Sequence, residues 1–313
     1  MRRYTSGLCL FAALTVGGRA LYSAAGSDRP PIIGVAHVAL RTNDLAAAQK
    51  FYGDTLGYQS FEAPKPEAGS SVRFFKINDH QYIEILPHLQ SDEQDRLVHI
   101  AFETKDARKL RQYLADHNAK VPANIDRDAE GNLSFRLKDP EDHEIEFVEY
   151  VRGSVQMKHF GKLLPDSRVS KRMIHAGLII HDRAAVDAFY RDILGFQVMW
   201  YGGKTEDRVD YVDMRVPEGS DWLEYMLNVT NPSPKTRGVM HHLALGVPEI
   251  HAAAKLVADH GYSAPQPPKI GVDGKWQLNM YDPNLTRTEL MEFRPVQKPC
   301  CSPMLLPSKI ITQ

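Results

Sequence analysis

The strongest constraint on this chain is a histidine and glutamate pattern that occurs four times at almost constant spacing. In each occurrence a histidine enters a short apolar stretch, and a glutamate follows inside another. The pairs are His37 with Glu84, His99 with Glu146, His175 with Glu224 and His242 with Glu289, separated by 47, 47, 49 and 47 residues. Unrelated histidines would not keep such register. The chain must therefore be built from four copies of one unit.

The local pattern repeats as well: Ala36-His37-Val38-Ala39-Leu40, Val98-His99-Ile100-Ala101-Phe102, Ile174-His175-Ala176-Gly177-Leu178 and His241-His242-Leu243-Ala244-Leu245. Side chains alternate faces along a strand, so each imidazole shares its face with the residue two along, which is Ala or Gly every time. That reads as one face packed into a core and one face left roomy beside the histidine. The glutamates sit among bulky neighbours, such as Ile83 and Ile85 or Ile145 and Phe147. A buried carboxylate costs several kcal/mol unless a cation or donor compensates it. A bound divalent metal would do so.

Helix signals follow the first and third histidines. Asp44 precedes Leu45, Ala48, Tyr52 and Leu56, and Asp182 precedes Val186, Phe189, Tyr190 and Ile193. The aspartates suit N-caps, the apolar spacing fits a 3.6-residue period, and Gly57 and Gly195 suit the helix ends. The other two units place helices over Leu110 to His117 and Ala252 to His260, then turns at Asp139-Pro140 and Asp282-Pro283. The first and third units are offset by 138 residues and the second and fourth by 143. The chain is thus a duplication of a duplication, each unit reading as strand, helix, then three strands, and the class is α+β. Two modules fill residues 31–150, a linker spans 151–171, two more modules fill 172–295, and a Pro-rich tail occupies 296–313.

A chain of 313 residues with 43% apolar and 25% charged residues has material for two domains. A formal charge of −1 gives no sign of nucleic-acid binding. Residues 1–26 carry Arg2 and Arg3, an apolar run from Gly7 to Val16, and Ser23-Ala24-Ala25. This is the layout of a cleaved secretory signal, which places the mature protein in the periplasm or outside the cell; without it the chain is cytoplasmic. The apolar run is too short for a stable membrane span. Cys300 and Cys301 are adjacent in the tail and cannot make a loop-closing staple, so they are read as part of an inert tail.

These motifs resemble those of the vicinal oxygen chelate superfamily, which includes glyoxalases, bleomycin-resistance proteins, epimerases and extradiol dioxygenases. The resemblance rests on the histidine strand starts, on Phe51-Tyr52 through Leu56-Gly57, on Phe189-Tyr190 through Leu194-Gly195-Phe196, and on the Asp-Pro turns seven residues before a glutamate. It covers nearly everything from Ile32 to Phe293. It implies four βαβββ modules paired into two tandem cup-like curved mixed sheets, with metal inside a cup. Carried over by position, the ligands are His37, Glu84, His99 and Glu146 in the N-terminal cup, and His175, Glu224, His242 and Glu289 in the C-terminal cup. Glu292 and Glu149 fall on the wrong face. Such donors hold one divalent ion, Fe(II), Mn, Co, Ni or Zn.

Duplicated domains often keep one working site, and the C-terminal cup is favoured, with the other as a vestigial copy. All three tryptophans, Trp200, Trp222 and Trp276, lie in that half, and with Asn279 they are the expected substrate pocket for a small molecule. Four modules resemble an extradiol ring-cleaving dioxygenase, for which His175, His242 and Glu289 match the iron triad. However, Asn279 stands where that family places a tyrosine, and Glu224 where it places a catalytic histidine. A fourth carboxylate ligand instead resembles the glyoxalase and epimerase pattern, implying a lyase or isomerase with Glu224 or Glu289 as base. The non-catalytic alternative is a small-molecule-binding protein like the bleomycin-resistance members. A homodimer is the assembly considered. His181, His251 and His260 read as solvated or capping groups, His143 as exposed, and His241 as pointing away from His242.

Overall fold

A computed structural model describes residues 28–63 and 72–306; the leader read over residues 1–26 lies outside them. Two eight-stranded mixed sheets carry the fold. The first contains β1 (Ile32–Arg41), β2 (Ser60–Glu62), β3 (Arg73–Lys76), β4 (Tyr82–Leu86), β5 (Leu97–Thr104), β6 (Asp126–Arg127), β7 (Leu133–Lys138) and β8 (Glu144–Glu149), in the order β2-β3-β4-β1-β5-β8-β7-β6. The second repeats that order with β9 (Arg172–Ile179), β10 (Gln197–Gly202), β11 (Tyr211–Arg215), β12 (Trp222–Met226), β13 (His242–Val247), β14 (Lys269–Ile270), β15 (Trp276–Tyr281) and β16 (Arg287–Glu292). Each module closes with a parallel pairing to its own first strand: β1 with β4, β5 with β8, β9 with β12 and β13 with β16. The strand, helix and three-strand reading of each unit is what the structure contains.

The helices show why the apolar spacing arises. In the first module α1 (Leu45–Ala48) is capped by Asp44, whose side chain accepts from the Ala46 and Ala47 amides. It then widens into a π-helical stretch, Gln49–Thr55, closed by Leu56 N–H bonding Phe51 C=O at 3.1 Å. The second module has α2 (Ala107–Asp116), and α3 (Val155–Lys158) lies in the connection to the second sheet. The third module repeats the wide turn, with α4 (Arg183–Asp187) passing into Ala188–Ile193. A simple 3.6-residue helix was expected in both places. The wider turn lets two successive aromatics, Phe51 with Tyr52 and Phe189 with Tyr190, both face the core. The remaining helices are α5 (Pro234–Met240), before β13, and α6 (Ile250–Asp259).

One hydrophobic core serves both halves, lying between the helices and the sheet faces that carry Val38, Ile100, Leu178 and Leu243. Rings cross the boundary, Phe51 against Tyr262 and Phe102 against Phe196. Equivalent residues also trade hydrogen bonds. The Tyr52 hydroxyl donates to Asp282 Oδ2 at 2.9 Å and the Tyr190 hydroxyl to Asp139 Oδ2 at 3.1 Å. Gln81 bonds both backbone groups of Met173, while Asp221 at the matching place accepts from the Val35 amide. Such reciprocity relates the halves by a local twofold axis. The Asp-Pro aspartates are thus more than turn formers.

The tail departs from expectation. Its Leu305 and Ser302 amides bond Met199 and Tyr201 carbonyls on β10, and its Val296 and Cys300 amides bond Gly274 and Val272 in the β14–β15 turn. It therefore runs between the two end strands of the second sheet. Cys300 and Cys301 are joined in a disulfide rather than standing as an inert pair. His143 is not exposed: its side chain is 13% accessible, with Nδ1 2.9 Å from Asp139 Oδ2. His241 turns away from His242 and pairs with Asp95. Among the described residues, no helix is long and apolar enough to cross a membrane.

Candidate metal centres

The four central strands of each sheet position the histidines and glutamates. In the first sheet His37 lies directly across from Ala101 and His99 across from Ala39; in the second, His242 faces Gly177 and His175 faces Ala244. The small residue two along from each histidine therefore makes room for the partner imidazole, which explains the repeated Ala or Gly. A Cβ on Gly177 would meet His242 Cε1 at 2.1 Å. The face beside each histidine is filled by the other histidine.

In the N-terminal cup the Nε2 atoms of His37 and His99 are 2.9 Å apart. Glu84 Oε2 lies 3.3 Å from His37 and 3.4 Å from His99, and Glu146 Oε2 lies 3.8 and 3.1 Å away. In the C-terminal cup His175 and His242 Nε2 are 3.0 Å apart, Glu224 lies 3.9 and 3.2 Å from them, and Glu289 3.6 and 3.9 Å. At metal bonds of about 2.1 Å, donors at adjacent positions on one ion are about 3 Å apart and opposite donors about 4.2 Å apart. Both sets fit a divalent ion of the borderline class without rearrangement of strands. His37, Glu84 and His99, and separately His175, His242 and Glu289, converge as buried triads.

The two cups differ in their cations. Arg136, directly opposite Glu146, donates from Nε to Glu146 Oε2 at 2.8 Å. The matching position in the second sheet is Asn279, opposite Glu289. There the arginine is Arg287, two residues before Glu289, and its Nη2 donates to His242 Nε2 at 2.8 Å. His242 Nδ1 lies 2.7 Å from Met240 C=O, which fixes the tautomer with its Nε2 lone pair toward the cup. Neither Arg136 nor Arg287 was singled out from the sequence. Their signal lies in cross-strand pairing, which a linear pattern does not carry.

Electrostatics follow the same split. Burial would raise Glu84 and Glu146, but hydrogen bonds and charge from His99 and His37 outweigh it and hold both below the usual carboxylate range. Burial depresses His37 to about 4, while the paired glutamates lift His99 to about 9 against burial. In the C-terminal cup burial prevails, raising Glu224 to about 7 and Glu289 as well, with Arg287 opposing. Burial also lowers His175, and His242 to about 3.

The walls differ too. Facing Glu84 across β3 and β2 stand Phe74 and Phe61, with Tyr82 on the same face. At the matching places facing Glu224 stand Asp213 and Trp200, with Trp222 opposite Arg215. The Trp222 ring is 5.0 Å from that of His175, and Lys275 Nζ sits 4.6 Å above it. Trp200, Trp222 and Asn279 therefore share the face of the ligand set. Trp276 lies on the other face and packs on His251 of α6. Trp200 Nε1, Trp222 Nε1, Arg215 Nε, Asp213 Oδ1 and Asn279 Oδ1 are buried without protein partners among the described residues. Each such group costs about 1–3 kcal/mol when nothing bonds it.

The chain matches the model of the Glyoxalase/Bleomycin resistance protein/Dioxygenase superfamily over residues 34–147 and again over 172–290. No curated protein matches it. Among solved structures it is similar to the Mn(II)-bound glyoxalase from Novosphingobium aromaticivorans, with TM-score 0.63 and 16% identity over 84% of this chain and 83% of that one. It is also similar to the 2,3-dioxygenase LapB from Pseudomonas sp. KL28, with TM-score 0.63 and 15% identity over 88% and 96%. A variant of homoprotocatechuate 2,3-dioxygenase from B. fuscum gives TM-score 0.62 and 18% identity over 89% and 74%. At these identities the likeness is one of fold.

Proposed function

The chain belongs to the glyoxalase/bleomycin resistance protein/dioxygenase superfamily, and on that basis we propose that it is a divalent-metal-dependent lyase or isomerase acting in its C-terminal cup on a small oxygenated substrate. His175, His242, Glu289 and Glu224 would hold the ion. When bound, the ion supplies Lewis-acid polarisation of a substrate carbonyl. Glu224 is the base, taking the proton from the carbon beside that carbonyl and returning it elsewhere. Before an ion binds, burial raises the affinity of Glu224 for a proton above that of a free carboxylate. Asn279, across from Glu289, orients the substrate.

The observation that carries this reading is the freedom of the C-terminal carboxylates. Arg136 clamps Glu146 in the other cup, whereas among the described residues no arginine or lysine comes within ion-pair distance of Glu224 or Glu289, which contact the two histidines. A carboxylate that must move a proton needs that freedom. Four protein donors would leave a bound ion open to a substrate offering oxygens. His242→Ala should empty this cup of metal by elemental analysis. Glu224→Gln should retain metal yet abolish exchange of the substrate's α-proton with deuterated water. Retained metal after the first change, or undiminished exchange after the second, defeats the assignment.

A second reading has its own support. His175, His242 and Glu289 converge as a triad without Glu224, the two-histidine, one-carboxylate set of ferrous oxygenases. Rapid oxygen uptake with catechols would select it; the lyase or isomerase reading expects none.

A further inference from the structure

We propose that the C-terminal cup is built for a polyhydroxylated ligand, a sugar-like α-hydroxy acid or α-hydroxy ketone, gripped by Trp200, Asp213, Arg215, Trp222 and Asn279 beside the ligand set. The inference rests on the reading of that cup as the working metal centre and adds the substrate class. Both cups keep two histidines and two glutamates in register. Their walls have diverged. Phe74, Phe61 and Tyr82 in one become Asp213, Trp200 and Trp222 in the other. One wall is aromatic, its cation Lys76 opposite Tyr82 already bonded to Asp79; the other is studded with unpaired hydrogen-bonding groups.

Among the described residues those groups lack partners. Two indole N–H groups and the Arg215 Nε–H are unpaired donors, and Asp213 Oδ1 and Asn279 Oδ1 are unpaired acceptors. Trp200, Asp213 and Trp222 are 1, 2 and 5% accessible, so bulk water does not serve them. A simple anion would satisfy the donors and leave both acceptors bare. A flat hydrocarbon would satisfy neither. Hydroxyl groups donate and accept at once, so a ligand carrying several of them answers both kinds. The indole rings are held by packing, Trp222 between His175 and Lys275, so that their N–H groups stay fixed beside the ligand set. Vicinal oxygens at one end would reach an ion held by His175, His242 and the glutamates.

The test is isothermal titration of the full-length, Mn(II)-loaded protein with sodium gluconate, with catechol as the flat aromatic control and Mn(II) uptake followed in parallel. Gluconate should bind and catechol should not compete with it. Asp213→Phe, which installs the N-terminal cup's residue, should weaken gluconate at least tenfold, and Trp222→Phe should weaken it several-fold, with Mn(II) uptake unchanged in both. Asp213→Asn serves as the milder variant should Asp213→Phe fail to fold. Gluconate affinity unchanged in the variants, no gluconate heat in the wild-type protein, or displacement of gluconate by catechol would overturn the proposal. Absence of Mn(II) uptake at His175 and His242 would instead sink the metal-centre reading. Gluconate binding to metal-free protein that is lost in the Asp213 variants would still uphold the polyhydroxyl wall.

Discussion

At the scale of single residues, the most testable group outside the cups is Asp282. Burial raises its pKa from 3.8 to about 6, against hydrogen bonds from Thr286, Tyr52 and Asn284. The folded protein therefore holds a proton there that the unfolded chain releases near 3.8. Between these values stability falls as pH rises, and above about 6 the cost is constant, about 3 kcal/mol at most. Asp282→Asn should flatten that segment of the stability curve, measured by urea unfolding from pH 4 to 7. An unchanged slope would contradict the buried, protonated state. Arg287 offers a second check. Its guanidinium competes with an ion for the His242 lone pair, so Arg287→Met should tighten Mn(II) binding in the C-terminal cup about tenfold by titration. Weaker binding would mean that the arginine supports the site.

Elements explain which parts of this architecture could be read in advance. Alternation around His37, His99, His175 and His242 was enough to place the strands and to put histidine and glutamate on one face, because period-two patterning is local. The meaning of Ala39, Ala101, Gly177 and Ala244 was not local: it depends on an antiparallel register that sets each beside the opposite histidine. The same holds for Arg136 and Arg287, and for the edge pairing of Leu305 with Met199. The wide turn at Phe51-Tyr52 was hidden because its first four residues obey ordinary helical spacing. A consequence at this level concerns β9. Gly177→Val should push the His242 ring aside, lowering metal affinity of the C-terminal cup by at least tenfold and costing about 1–3 kcal/mol of stability from overpacking. Full metal affinity in the folded variant would show that the ring has space the strand register denies it.

For the whole molecule, the halves exchange equivalent bonds across one core, so neither should persist alone as a monomer. Residues 28–164 carry both the donor Tyr52, whose acceptor Asp282 lies in the other half, and the acceptor Asp139, whose donor Tyr190 lies there too. Expressed alone, this half should pair with itself, and sedimentation should report a dimer; a stable monomer would refute the shared core. A homodimer of the intact chain must use other surfaces, since this one is already occupied. The tail predicts differently. The Cys300 and Cys301 disulfide joins neighbours and encloses no chain segment, so it removes little freedom from the unfolded chain. Reduction should leave the thermal midpoint unchanged. The interlocking of the halves also bears on descent: any lesion that unfolds one cup unfolds its twin, so selection acting on a single activity maintains two scaffolds. A cup released from selection on its own activity would thereby be kept folded while its lining drifts, which gives a lineage a protected place in which to try a second chemistry.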